Sequence, residues 1–311
     1  MATRTPSADV LTSTQVNVPR AQPMSMSRRM ESLLPYLLLA PAGIFLAIFF
    51  AFPMIQALLL AVQSSSDGSF TLEHLQQMVN DVNFSDALRN TLLIIVFAVP
   101  LQFVLAVVMG LLLQSKLKAS SLFLYFWTIP LGVSDLAAGL VWLAIFGDRG
   151  YLNSVLQGLG LINTPFAFLT FEHPQTLFIA VVIAELWRAT SIVMIIVVAG
   201  LQLIPPDYLE AAEVFGASQW QRIWNVMLPM IRPSLQVALI LRTILAFQVF
   251  AVVVALAGRA MPVLAGEAYN RYGEFNPNGA AAYAALILSF SLITTIIYLR
   301  ALKIQEGERG R

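Results

Sequence analysis

Residues 204–232 read IPPDYLEAAEVFGASQWQRIWNVMLPMIR. Two short amphipathic helices are written here, meeting at one glycine. Pro206 and Asp207 open the first: the fixed φ of proline suits the first helical position, and an acid complements the positive helix end. Tyr208, Ala211, Ala212 and Phe215 then recur at i, i+3, i+4 and i+7, an apolar stripe. Gly216 is the expected stop, as a C-terminal glycine is. Ser218 and Gln221 have the spacing of a capping box for a second helix. Its stripe is Trp220, Ile223, Trp224 and Met227, and Pro229 is expected to end it. Such stripes must be covered by something. The chain's own helices, lipid headgroups and a docking partner all satisfy the pattern, which by itself does not choose among them.

The rest of the chain says where this element sits. Of 311 residues, 58% are hydrophobic and 11% charged, with mean hydropathy +0.77. A soluble domain carries about 25% charged residues, so this chain has too few charges to cover a water-facing surface. The net charge of +1 argues against a basic nucleic-acid binder and an acidic disordered chain. Cysteine is absent, which removes disulfides, thiolate metal sites and cysteine nucleophiles. Two histidines, His74 and His173, leave little for an imidazole metal site. Both are expected at the surface.

A spanning helix needs about 20 mostly apolar residues. Six stretches qualify: residues 33–62, 87–114, 120–146, 176–203, 233–257 and 280–302. Pro41, Pro53, Pro100 and Pro130 lie in or near them, tolerated where neighbours satisfy the freed carbonyls. Ala106 and Gly110 make a small-xxx-small step suited to close helix packing. The first stretch is too long for a cleaved signal and lacks a small-residue cleavage site followed by polar sequence. Residues 1–30, rich in Ser, Thr, Pro and Gln, are expected to be a disordered cytoplasmic tail; residues 31–311 form the membrane domain.

Basic residues orient the bundle. Arg4, Arg20, Arg28, Arg29, Lys116, Lys118, Arg222, Arg232, Arg300, Lys303, Arg309 and Arg311 fall on one side; Arg89, Arg149, Arg259 and Arg271 fall on the other. The positive-inside rule therefore puts both termini, and residues 204–232, in the cytoplasm.

Four ionisable residues lie deep in the spans: Asp135, Glu185, Arg188 and Arg242. Each costs about 2.5–3.5 kcal/mol at the bilayer centre, so each is expected to face the bundle interior or a water-filled cavity. Glu185 and Arg188, three apart on one helix, are expected to pair; Arg242 is expected to pair with Asp135. The alternative is that some of these, with Trp142, Gln248 or Asn270, touch a polar solute. Outer-loop candidates for contact with a delivering protein are Asp148, Arg149, Tyr151 and Asn153, and the 276–279 stretch NPNG, read as a turn.

Glu210-Ala211-Ala212, then Gly216-Ala217, then Leu228-Pro229, resembles the EAA motif of ABC-importer permeases, with Pro205 just ahead of it. FTLEHLQQMVNDVNFSDALRNTLLI, WLAIFGDRGYLNSVL and AELWRATSIVMIIVVAGLQLIP resemble segments of carbohydrate-importer permeases, similar to the maltose and glycerol-phosphate type. The likeness runs from about residue 30 to 303. Phe215 replaces a common Asp, and Ala257-Gly258-Arg259-Ala260 replaces a Gly-rich threonine turn.

The resemblance implies an all-α, six-span, type I importer-permease bundle in a bacterial inner membrane. It implies an ATPase-coupling surface at Glu210, Ala211, Ala212, Phe215, Gly216, Ala217, Leu228 and Pro229. It also implies a second homologous permease chain, two ATP-binding subunits and an extracytoplasmic solute-binding protein, carrying a sugar or sugar derivative by alternating access. The chain has no Gly-Lys dipeptide and so no P-loop; ATP and Mg would be held by the partner, with no cofactor, metal or catalytic residue here. Glu210 would complement the helix dipole or pair across the interface. Competing readings are a permease for polyamine, phosphate or amino acid, a stand-alone secondary transporter, and a membrane enzyme. No HExxH, serine elbow or regularly spaced carboxylate pair supports the last.

Overall fold

A computed structural model describes residues 26–65, 67–114 and 120–301, with side chains from residue 33 onward. Of the expected tail, residues 1–25 lie outside the described residues, and 26–30 are already helical. Lys116, Lys118, Lys303, Arg309 and Arg311 also lie outside. The described residues up to Ile55 form one unit, and those from Gln56 onward a second.

In the first unit α1 (Met26–Leu46) passes through a π-helical turn, Ala47–Ala51, into α2 (Phe52–Leu60), whose residues from Gln56 onward belong to the second unit. The turn ends just before Pro53, with the Phe52 N–H donating to the carbonyl of Ala47. A wider turn here accommodates a residue that has no N–H to give and whose ring crowds the preceding turn.

The second unit continues through α3 (Glu73–Val79), α4 (Phe84–Gln114), α5 (Ser120–Thr128), α6 (Asp135–Phe146), α7 (Tyr151–Gly158) and α8 (Pro174–Gln202). Then come α9 (Pro206–Val214), α10 (Gln219–Arg222), α11 (Leu228–Met230), α12 (Arg232–Phe247), α13 (Ala251–Ala257), α14 (Leu264–Gly273) and α15 (Pro277–Ala301). Among the described residues four stretches are long and apolar enough to cross a membrane: Leu33–Leu60, Phe84–Gln114, Pro174–Gln202 and Pro277–Ala301. Two bent pairs, Ser120–Gly132 with Asp135–Gly158 at 106° and Gln219–Met230 with Arg232–Phe247 at 65°, bring the number to six if each is one span.

Two expected spans are not continuous. In 120–146, α5 runs into a 3₁₀ turn, Ile129–Gly132, and Val133 is extended. Ser134 then caps α6, its hydroxyl accepting from the Ala137 N–H at 3.2 Å. Proline and glycine interrupt the ladder, and a serine cap restarts it. In 233–257, α12 ends at Phe247 and α13 begins at Ala251, with Phe250 at φ −146°, ψ −62°.

The core is built on α4 and α8, which run parallel. Phe97 meets Phe178 with ring centres 5.9 Å apart, Gln102 Nε2 donates to the carbonyl of Glu185 at 2.9 Å, and Gly110 lies against Val197. A Cβ added at Gly110 would sit 2.9 Å from Val197 Cγ1, and Ala106 is fully buried. The small-xxx-small step therefore sets a close helix approach, as apolar packing between spans requires. α6 and α13 meet in the same way: a Cβ at Gly139 would fall 2.5 Å from Ala255 Cβ. The outward face of α4, including Val96, Val104 and Val108, is apolar and exposed, as a lipid-facing surface is.

Candidate functional site

Three clusters follow the parallel axis of α4 and α8. At their C-terminal ends lies the 204–232 element. Its two helices form and meet at Gly216 (φ +79°). The Ala217 N–H donates to the carbonyl of Ala212 and the Gly216 N–H to that of Glu213, both at 2.9 Å. This is the paired closure that a left-handed residue makes possible after a helix end. Ser218 and Gln221 form the reciprocal cap: the Gln221 N–H donates to Ser218 Oγ at 3.3 Å, and the Ser218 N–H to Gln221 Oε1 at 2.8 Å. Arg222 Nη1 donates to Glu213 Oε2 at 3.0 Å, tying one helix to the other.

Pro229 does not stop the second helix. A π-helical turn, Ile223–Met227, precedes it, with the Leu228 N–H reaching the carbonyl of Ile223, and helix continues to Met230. The apolar stripes also divide. Leu209, Ile223, Met227 and Leu228 pack inward with Ala106, Val197 and Leu201. Tyr208, Phe215, Trp220 and Trp224 point outward, with Phe215 89% and Trp220 70% exposed. Glu210 and Ala211 are exposed, and Ala212, Ala217, Leu228 and Pro229 are half-buried. An aromatic patch therefore surrounds the glycine turn, covered by nothing among the described residues. Behind it lies a cavity of about 220 Å³, bordered by Leu111, Gln114, Leu209, Arg222, Ile223 and Met227.

Halfway along α4 and α8 sits an ion network. Arg188 Nη1 donates to Asp135 Oδ1 at 2.7 Å, and its Nε and Nη2 to Glu185 at 3.3 and 3.1 Å. Arg242 Nη2 donates to Glu185 Oε2 at 2.9 Å and its Nε to Gln102 Oε1 at 2.6 Å. The expected Glu185–Arg188 pair forms. The expected Arg242–Asp135 pair does not: Glu185 stands between Arg188 and Arg242, and Asp135, opening α6 after the break, meets Arg188 instead. Exposure grades across the network, from Glu185 at 0% and Arg242 at 1% to Arg188 at 17% and Asp135 at 57%. A cavity of about 90 Å³ is bordered by Pro130, Val133, Asp135, Arg188, Arg242 and Leu245. Gln102 was missed in the sequence; the signal was one amide within the apolar run 92–113. Gln248 is exposed at the α12–α13 break. Trp142 lies in an aromatic stack, 5.3 Å from Phe146 and 6.2 Å from Trp187.

At the opposite end from the 204–232 element, Asp81 is ion-paired with Arg271 and accepts from the Tyr283 hydroxyl at 3.1 Å. Burial pushes the Asp81 carboxyl up, but Arg271, the Asn83 N–H and Tyr283 together outweigh it and hold Asp81 below the usual carboxylate range. Glu267 is raised, first by burial and then by the Asp81 charge. His74 is not at the surface: it is 7% exposed, with neither ring nitrogen partnered among the described residues. His173 is exposed and stacks on Phe166.

The 276–279 stretch is a helix start rather than a turn. Asn276 Oδ1 accepts from the Gly279 N–H at 2.8 Å, and Pro277 is the first residue of α15. Asn278 donates to the carbonyls of Leu60 and Gln63. Asn153 is 1% exposed and braces its loop, donating to the carbonyls of Gly147, Asp148 and Phe166. Asp148, Arg149 and Tyr151 are exposed; Asn270 is half-buried beside Glu267. Among the described residues no three His, Asp or Glu side chains converge as metal ligands.

The geometry is that of an apolar helical bundle carrying a capped helix–glycine–helix element at one end. The profile of the family described as "Binding-protein-dependent transport system inner membrane component" matches residues 80–302. The chain belongs to this family. It is 32% identical over 286 residues to the trehalose transport system permease protein of Mycobacterium tuberculosis, covering 88% of this chain and 90% of that one. It is 30% identical over 294 residues to the sulfoquinovosyl glycerol transport system permease protein of Agrobacterium fabrum, covering 89% and 92%. Among solved structures, it superposes on a chain of a bacterial alginate ABC transporter in complex with an alginate pentasaccharide-bound periplasmic protein. The TM-score is 0.74 at 20% identity, covering 89% of this chain and 96% of that chain. At this identity the superposition establishes the fold: the expected all-α importer-permease bundle is the one observed.

Proposed function

We propose that the chain is one of two permease halves of an ATP-driven importer for a sugar or sugar derivative. The observation that carries the reading is the exposed aromatic patch around Gly216, on an element with the EAA-type sequence. Phe215, Trp220 and Trp224 remain uncovered by the bundle, and apolar side chains so grouped mark a protein contact. The partner is an ATP-binding subunit, present in two copies. It holds ATP and Mg, for which this chain has no P-loop; the chain itself takes no cofactor or metal, contacts no nucleic acid and catalyses no reaction. Closure of the ATPase pulls Glu210 through Ala217, and Leu228 with Pro229 anchors the lever to α12, so the bundle rocks between inward-open and outward-open states. A second, homologous permease chain completes the pathway, and a solute-binding protein delivers to the face opposite the lever. Both termini are cytoplasmic, by the distribution of basic residues. Sugar is favoured over polyamine, phosphate or amino acid by the two relatives above, whose descriptions name glycosidic solutes.

The test is a Glu210→Ala, Gly216→Val double replacement in the whole complex. Uptake is expected to stop and ATP hydrolysis to become independent of the binding protein, with membrane insertion intact. If uptake and copurification of the ATPase both persist, the coupling assignment is wrong.

A further inference from the structure

Asp135 is 57% exposed on its side chain and Arg188 17%, halfway along the bundle. Charges at that depth do not face hydrocarbon, because the cost is several kcal/mol. The surface they share is therefore wet, or covered by protein. Two further observations place it on a path rather than at a plain helix interface. Both broken spans border the same small cavity: Pro130 and Val133 come from the α5–α6 break, and Leu245 from the last turn of α12 before its own break. Irregular backbone at membrane depth persists where it is buried in protein or lines water, and interrupted helices mark solute sites in transporters. Arg242, 1% exposed, borders that cavity with Nη1 unpartnered among the described residues. A buried guanidinium nitrogen without an acceptor is a donor waiting for one.

The charges in this cluster cancel. Arg188 and Arg242 stand against Asp135 and Glu185. Both Glu185 oxygens are occupied by guanidinium groups. The one partly exposed cation, Arg188, is already bound to Asp135 at 2.7 Å. A carboxylate, sulfonate or phosphate on a solute would find no free cation, and would have to displace Asp135. A cation would meet a carboxylate already neutralised, beside two arginines. What is left over is hydrogen-bonding capacity without net charge: Asp135 Oδ2, which has no partner among the described residues, and Arg242 Nη1. An oxygen acceptor and an N–H donor on residues that border one cavity match hydroxyl groups, each of which donates and accepts.

Resting on the sugar-importer reading above, we propose that Asp135 and Arg188, backed by Arg242, Glu185 and Gln102, form the solute-contacting wall of this permease, and that the solute is an uncharged saccharide. Asp135 touches the hydroxyls through Oδ2, Arg188 holds Asp135 at 2.7 Å, and the unpartnered Arg242 Nη1 borders the same cavity. Glu185 and Gln102 are positioning residues that hold the two arginines. The cavity of about 90 Å³ holds a hydroxymethyl or ring edge rather than a whole sugar unit, and the remaining wall comes from the second permease chain.

The experiment uses the native strain and its deletion, complemented with the full chain. Uptake is measured for a labelled panel of trehalose, maltose, lactose, galacturonate, glucose 6-phosphate and a sulfonated glucose. Loss of an uncharged member alone on deletion is expected; loss of an acidic member overturns the charge argument while leaving the importer reading intact. If no sugar is affected, the sugar-importer reading fails, and this inference with it. In the second arm, Asp135→Asn and Arg188→Gln are measured in the reconstituted complex with the affected sugar. Each is expected to raise KM at least tenfold, with ATPase and second permease still copurifying. Unchanged KM, or loss of the second permease on purification, overturns the proposal; the latter would show that the pair belongs to the subunit interface.

Discussion

Glu185→Gln tests how much the mid-bundle network depends on one carboxylate. Glu185 is fully buried and accepts from Arg188 at 3.1 and 3.3 Å and from Arg242 at 2.9 Å. The amide keeps the volume, so no cavity contributes. It removes the charge and leaves Arg242, 1% exposed, with Gln102 Oε1 at 2.6 Å as its remaining strong acceptor. Stripping one partner from a buried pair costs about 3–5 kcal/mol. Because the amide oxygen still accepts one bond, the lower end, about 3 kcal/mol, is expected. For a domain of 150–250 residues each kcal/mol corresponds to about 2–4 °C in Tm, hence a loss on the order of 10 °C. The assay is thermal unfolding of the complex in nanodiscs, followed by tryptophan fluorescence. The double variant Glu185→Gln, Arg242→Gln removes both buried charges and is expected to recover most of the loss. A single variant within about 1 °C of wild type, or a double variant as unstable as the two singles added, would refute the idea that these charges are desolvated and coupled.

Four other outcomes follow. Gly139→Val places a side chain where even a Cβ lies 2.5 Å from Ala255, so overpacking of about 1–3 kcal/mol is expected in the same unfolding assay, whereas Gly132→Ala, with nothing within 4 Å, is neutral. Ser218→Ala removes the cap of α10, about 1 kcal/mol, and should speed hydrogen exchange at residues 219–222 without lowering the global Tm. Phe215→Ser, at a side chain 89% exposed, should change stability by less than about 0.5 kcal/mol yet reduce copurification of the ATPase; retained copurification would remove Phe215 from the contact. Asp81, held low in the folded protein, contributes stability that is present above the ordinary carboxylate range and lost as pH falls through its lowered value. Arg271→Ala removes the strongest of the groups that lower Asp81, so the downward shift shrinks and the variant should lose less stability than wild type as pH falls through the carboxylate range. Glu267, already raised, contributes stability that is lost as pH rises, in both proteins. Thermal unfolding across pH 3–8 separates the two curves.

The lever was legible almost residue by residue, because its signals are local. Pro206, Gly216 and the Ser218–Gln221 box act through backbone hydrogen bonds within a few residues. Their one failure, Pro229, was also local: a π-helical turn ahead of it, like the one ahead of Pro53, absorbs the missing N–H. The breaks at Pro130–Ser134 and Gln248–Phe250 were hidden, since an apolar run reads the same whether straight or bent. His74 was misplaced because an imidazole in an amphipathic segment carries no mark of what will cover it.

Composition and periodicity alone determined that the chain lives in a membrane, that it has six apolar segments and that it carries a helix–glycine–helix element. These follow from transfer free energy and local hydrogen bonding, which depend on residue type and spacing. Tertiary structure alone decided how Arg242 and Asp135 join the Glu185–Arg188 pair. Glu185 and Arg188 are neighbours on one helix and paired as expected. Arg242, Gln102 and Asp135 come from three other helices, and their order around Glu185 depends on the parallel register of α4 and α8 and on the break that aims Asp135 at Arg188. That register is set by the close approach at Ala106 and Gly110, a contact between segments about 90 residues apart, which no local pattern encodes.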